Sequence, residues 1–264
     1  MTGENRRAKR RIGLNKELSI DIHADDYAQS SHTSAQILEC CKLGYLDSIS
    51  IVPNFSCFEQ DMALLKVALR DMAKKPLLCV HLNLVEGHCV AQESVKGPLT
   101  DERGCFRMGW GSLFLHSFLP GRKVLGRELE TEIHAQIEKV RQALPVDYAS
   151  LPIRIDGHQH TQMIPVVFDA LYRVIRREGY AVSYIRDSRE PLGPYLKHPS
   201  LFWTYRPVNL LKNLILRLCS LYLRAGLKAL GCAPMYLWGL LMSGKMDLER
   251  VELLLPDMGR AACR

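Results

Sequence analysis

Apolar and polar positions follow two alternating periods along this chain. Leu18-Ser-Ile-Asp-Ile-His23 places β-branched residues in strand alternation, and Ser34 to Leu43 then carries Ile37, Leu38 and Cys41 at helical spacing before Gly44. Asp47 to Val52 predicts a second strand and Met62 to Met72 a second helix, with Leu65, Ala68, Leu69 and Met72 on one face. Leu77 to Val85 is apolar enough for a parallel strand buried on both sides. The pattern lapses over 86–121, which holds Gly87, Gly97, Pro98, Gly104, Gly109 and Gly111; so long a loop inside a domain predicts a functional segment or a local subdomain. Order resumes with a helix over Arg127 to Ala143, where Leu129, Ile133, Ile137 and Val140 form a stripe and Glu128, Glu130 and Glu132 suit a helix start. A fourth strand follows at Pro152 to Asp156, then a helix opened by Pro165 and a fifth strand at Val182 to Arg186.

Strand and helix in alternation predict parallel strands joined by right-handed crossovers, in a barrel or a doubly wound sheet. No Gly-x-Gly-x-x-Gly or phosphate loop follows any strand, which favours the barrel. Residues 191–207 read as a Pro-rich loop and 208–230 as a basic helix. In that helix Arg217, Arg224 and Lys228 recur on one face while leucines cover the rest. An outer helix with a solvated basic stripe is the preferred reading over one touching an anionic membrane.

Charge changes the picture only by its location. The 264 residues hold 35 Lys+Arg against 28 Asp+Glu, a formal charge of +7, but the excess sits in an N-terminal tail and in 206–228. The body is slightly acidic, so a nucleic-acid partner is not expected. Nine cysteines, with no C-x-x-C pair, exclude a disulfide framework or zinc ribbon. No signal-like apolar run follows the charged start, and the longest apolar stretch is broken by lysines and arginines. A cytoplasmic protein without an integral membrane segment is expected. The expected organisation is a flexible basic tail over 1–16 and one domain over 17–264.

Three polar clusters fall where strands end: His23-Ala-Asp25-Asp26, His81 with Asn83, and Asp156-Gly-His158-Gln-His160. In parallel α/β folds such ends share one side of the molecule and carry the chemistry. The first two clusters have plainer explanations. An Asp pair caps turns, a lone His in an apolar strand is usually a satisfied core residue, and only the third cluster resists a packing role. Together they suggest a site. Adjacent carboxylates call for a cation, two imidazoles with one carboxylate suit a catalytic first-row ion, and the second carboxylate can serve as base toward an activated water.

Ala24-Asp-Asp-Tyr27 with Ser30, Val80-His-Leu-Asn-Leu84 with Glu86-Gly87, Leu99-Thr-Asp-Glu-Arg-Gly104, Asp156-Gly-His-Gln-His160 with Pro165, and Ile185-Arg186 resemble the YdjC-like (ChbG/HpnK) carbohydrate deacetylases. The resemblance implies a distorted (β/α) barrel related to polysaccharide deacetylases, one divalent metal ion (Mg2+ or Zn2+), and removal of acetyl groups from N-acetylated amino sugars. It places the metal ligands on Asp26, His81 and His158 and the general base on Asp25. His160 is expected either to protonate the leaving amine or to hold His158, and Arg186 either to contact substrate or to form a structural ion pair. Two departures stand out. Members usually carry Phe-Gly after the Asp pair, where this chain has Tyr27-Ala28. They also continue into a further strand with a His-Pro pair, so the barrel is expected to be incomplete at its C-terminus. The alternatives are a catalytically weak carbohydrate-binding relative, or another metal-dependent hydrolase on the same barrel. Homodimerisation is left open.

Overall fold

The structure is a computed structural model that describes residues 20–91, 97–232 and 235–262; the expected tail over 1–16 lies outside them. Five strands, β1 (His23–Tyr27), β2 (Ser48–Ile51), β3 (Leu77–Leu82), β4 (Ile153–Gly157) and β5 (Val182–Ile185), form one sheet in sequential order, every neighbouring pair parallel. The crossovers carry α1 (Ser31–Lys42), α2 (Phe58–Asp71), α3 (Trp110–His116), α4 (Arg122–Ala143), α5 (Val146–Ala149) and α6 (Pro165–Glu178). Further on lie α7 (Gly193–Leu196), α8 (Pro207–Ala229) and α9 (Leu248–Ala262). With sequential order and right-handed crossovers, helices gather on one face of the sheet. On that face Ile49, Ile51, Val80, Leu82, Ile155 and Ile185 are buried at every second position.

The other face is polar. His23 and Asp25 of β1, Ser48 and Ser50 of β2, Cys79 and His81 of β3, and Arg154 and Asp156 of β4 alternate with those apolar residues, and Arg186 follows at the end of β5. In a flat sheet with strands about 4.8 Å apart, β1 and β5 would lie roughly 19 Å from each other. Yet the Arg186 guanidinium meets the Asp25 carboxylate at 2.9 Å, and Arg154 of β4 meets Asp21, just before β1, at 2.8 Å. The sheet is therefore rolled around its polar face, as the expected barrel requires.

Two expectations need correction. The first strand is His23–Tyr27, not 18–23, because pairing with β2 begins at His23↔Ser48; Ile20 and Ile22 precede it and remain exposed. The acids of the long helix also do not serve its start: α4 begins at Arg122, with no acidic residue in its first turn. Glu132 instead accepts hydrogen bonds from the Val90 and Ala91 amides, Glu128 accepts one from Leu99, and Gln136 bridges the amide and carbonyl of Asn83. These side chains satisfy loop amides that no strand pairs with. The described parts of the segment 86–121 are accordingly tied to α4 and hold α3.

Two compact units are distinguished, residues 21–186 with 222–232, and residues 187–221 with 235–262. The second has its own core of Tyr195, Leu201, Leu241, Met242, Leu254 and Met258. There the buried Glu190 accepts hydrogen bonds from the Tyr195 hydroxyl and the Gly239 and Leu241 amides. The eight described cysteines are all free. Among the described residues no helix is long and apolar enough to cross a membrane.

Candidate metal centre

Asp25 and Asp26 are consecutive in β1, so regular pleating would send them to opposite faces. Asp26 has φ +67° and the β1–β2 register shifts between Ala24 and Tyr27, a bulge that turns the Asp26 carboxylate toward β3 and β4. On the other side of the site, Gln159 and His160 are also left-handed, at φ +52° and +61°. Gly157, between Asp156 and His158, has no space for a side chain: a Cβ there would stand 2.7 Å from Gln162 Oε1. The non-glycine residues with positive φ, Asp26, Ala28, Gln159 and His160, all lie in these two turns among the described residues. Strain concentrated in this way is characteristic of functional sites.

Ala28, where the resembled family usually has glycine, has φ +69° and is fully buried. An L side chain in that region costs about 1–2 kcal/mol, and the extra unfolded-chain entropy of glycine returns part of it. Ala28→Gly is expected to raise the melting temperature by about 1–3 °C; differential scanning calorimetry measures it, and an unchanged or lowered value would mean that the turn is not strained.

The turns bring the three expected ligands together. Asp26 Oδ1 lies 2.8 Å from His158 Nδ1 and 3.2 Å from His81 Nε2, and one ligand atom from each residue falls within 4.8 Å of the others. His81 is oriented from behind: its Nδ1 meets Asp156 Oδ1 at 2.6 Å, which leaves Nε2 to face Asp26. That carboxylate–imidazole pairing is how proteins fix a metal-binding histidine. Burial lowers the His81 pKa, but Asp156 and Asp26 outweigh it and carry it up to about 10. The His158 pKa is raised against burial by Asp26, and the Asp26 carboxyl is held well below its ordinary value by the two imidazoles. Two nitrogens and one carboxylate oxygen, converging and oriented, fit a divalent cation, to which both imidazoles must yield a proton.

Two other groupings could also hold an ion, His23/Cys79/Asp156 and Asp25/His81/Asp156. Both use Asp156, which already has a cation: Arg186 Nη2 lies 2.5 Å from Asp156 Oδ2 while Nη1 lies 2.9 Å from Asp25 Oδ1. The Asp26 triad has no built-in cation of this kind. Arg186 is only 4% exposed, with its guanidinium between two carboxylates, the arrangement of the ion-pair alternative. Asp25, whose side chain is 41% exposed, keeps contact with solvent. Burial pushes its pKa up, but the His23 hydrogen bond and Arg186 bring it below the ordinary value, so it is ionised at neutral pH.

His160 is held in the left-handed turn beside this cluster, its Nδ1 buried and without a hydrogen-bond partner. Burial and the nearby Arg186 lower its pKa to about 4. His23 was in the first cluster but was not assigned a role. Its Nε2 lies 3.1 Å from Asp25 Oδ1 and 3.3 Å from Asp156 Oδ2, so it links the two carboxylates. Glu86, 3.3 Å from His158 Nε2, was also missed. Asn83 plays a different part, holding the loop after β3 through Asn54 and the Glu86 carbonyl.

The fold and site define an α/β protein with one oriented His–His–Asp cluster at the C-terminal ends of a rolled parallel sheet. The chain belongs to the family described as YdjC-like protein, which matches residues 19–262. It is 24% identical over 66% of its length to a carbohydrate deacetylase of Danio rerio, and 25% identical over 69% to one of Mus musculus. A carbohydrate deacetylase of Brevibacillus brevis is 27% identical over 63% of the chain. The matched stretch spans 51%, 63% and 59% of those relatives' own lengths. A crystal structure from Enterococcus faecalis, of a proposed cellobiose-phosphate cleavage protein, superposes with a TM-score of 0.51 at 21% identity, covering 92% of each chain. At that identity the likeness speaks to the fold.

Proposed function

We propose that this chain is a metal-dependent carbohydrate deacetylase that hydrolyses the N-acetyl group of an amino sugar, in a chito-oligosaccharide or a sugar conjugate, and releases acetate. The observation that carries the proposal is the convergence of Asp26, His81 and His158 within 4.8 Å beside an ionised, solvent-reaching Asp25. The names of the curated relatives support the substrate class. A bound divalent ion, Mg2+ or Zn2+, would supply Lewis acidity toward a carbonyl oxygen and a water.

In this proposal Asp25 takes the proton of the attacking water. Its low pKa keeps it ready in the basic form, and Arg186 and His23 fix its carboxylate. Arg186 is a positioning residue that acts through Asp25 and Asp156. His160 is assigned to the leaving nitrogen. Being neutral at neutral pH, it must acquire during turnover any proton it delivers to the departing amine. A two-metal hydrolase on the same fold is disfavoured, since Arg186 occupies the position between Asp25 and Asp156 where a second ion would sit.

The purified chain should release acetate from diacetylchitobiose or another N-acetylated sugar in a panel, lose the activity to a chelator and regain it with added Mg2+ or Zn2+. Failure across the panel, with sugar raising the melting temperature, would establish a binding protein instead.

A further inference from the structure

From 191 to 246 the chain contains seven lysines and arginines and no acidic residue. Helix α8 runs through the middle of this stretch. The sequence predicts an outer helix with a solvated basic stripe and leaves open which way its leucines point. Asn209, Asn213, Leu216, Cys219, Ser220 and Leu223 are the buried residues. Leu211, Leu214, Leu218 and Leu221, which share one helical face at spacings of three and four, are outward and between 54% and 64% exposed. Arg217, Arg224 and Lys228 are exposed too, along one flank of that face. In the turn before the helix, Phe202 is exposed and Trp203 is 93% exposed. Four charged residues within 23 rule out a transmembrane segment, whereas an exposed apolar face flanked by basic residues is the pattern of a helix lying in a membrane interface. Arginine and lysine stems reach from such a face to headgroups, and tryptophan favours the same depth.

We propose that α8 and the turn before it dock the protein on an anionic bilayer surface, the leucines entering the headgroup boundary and Arg217, Arg224 and Lys228 pairing with lipid phosphates. Charge complementarity selects this occupant: the whole stretch is cationic, and a second copy of the chain would bring the same basic flank against itself. The inference is independent of the deacetylase reading and needs no sugar or metal to test.

The full chain is mixed at low ionic strength with vesicles of phosphatidylcholine, alone or with about one-third phosphatidylglycerol, and sedimented. Binding to the anionic vesicles should be at least about tenfold tighter, with a blue shift of tryptophan emission that Trp203→Phe removes. The outward double variant Leu214→Asp/Leu218→Asp should abolish sedimentation while circular dichroism stays unchanged, and Arg217→Glu/Arg224→Glu should weaken it. No sedimentation with anionic vesicles would overturn the proposal, as would binding that neither double variant reduces. A wild-type dimer that Leu214→Asp/Leu218→Asp converts to monomer, with no vesicle binding, would assign the face to a second copy instead.

Discussion

Asp26→Asn should leave the chain folded and cut acetate release at least a hundredfold, by roughly the factor that even an indirect disturbance of a metal site produces. The substitution keeps the shape of the side chain but removes the negative charge from an oxygen 2.8 Å from His158 Nδ1 and 3.2 Å from His81 Nε2. A cation would then meet two imidazoles and a neutral amide. Asp26 is partly exposed, so no charge is stranded in a dry interior. Metal analysis after dialysis reads the loss directly. Asp25→Asn separates the two carboxylates: it should lose activity to a similar degree while retaining metal, because Asp25 lies against His23 and Arg186 and not in the Asp26 triad. If Asp26→Asn keeps its metal and Asp25→Asn loses it, the ligand and the base have been interchanged. Full activity in both would remove the site from this part of the fold.

Much of this arrangement was legible because strand geometry has a period of two. His81 on β3 and Asp156 on β4 fall on the polar face with His23 and Asp25, and parallel strands bring their C-terminal ends to one side. Less legible was how Asp25 and Asp26 share one site, which depends on a positive φ at a residue that is not glycine. No apolar period marks such a turn, so His23 read as the last residue of the first strand when it is the first. Glu128 and Glu132 were misread for a related reason. Their partners are amides of a loop far away in sequence, and a carboxylate that caps a loop looks along the chain like one that caps a helix. In α8 the periodicity was legible but the direction of the leucines was not. Leucines at helical spacing show that a helix has an apolar face, not which way it points, and here Asn209, Asn213 and Ser220 face inward.

Asp156→Asn should be the most destabilising single change at the site, by about 3–5 kcal/mol. The carboxylate is fully buried and receives Arg186 on Oδ2, His81 on Oδ1 and the Ser50 hydroxyl. Burial alone would raise its pKa, but Arg186 and His81 hold it well below 3.8. Neutralising it takes from a guanidinium that is 4% exposed and cannot shed its proton the buried one of its two carboxylate partners, leaving it the solvent-reaching Asp25. A melting-temperature drop of about 10 °C follows for a chain of this size. His81 would lose the group that orients it, so metal affinity should fall about 10- to 100-fold as well. The double variant Asp156→Asn/Arg186→Met removes the half-compensated buried charge and should be more stable than Asp156→Asn alone, a non-additivity that calorimetry detects. The pH dependence has a definite sign. Because the folded pKa is depressed, the contribution of Asp156 is complete above the unfolded value of about 3.8 and is lost only as pH falls through the folded one. Wild type and Asp156→Asn should therefore differ by the full amount at neutral pH and converge only in strong acid. A difference that already vanishes at pH values above 3.8 would show that the carboxylate is not the counter-charge of Arg186.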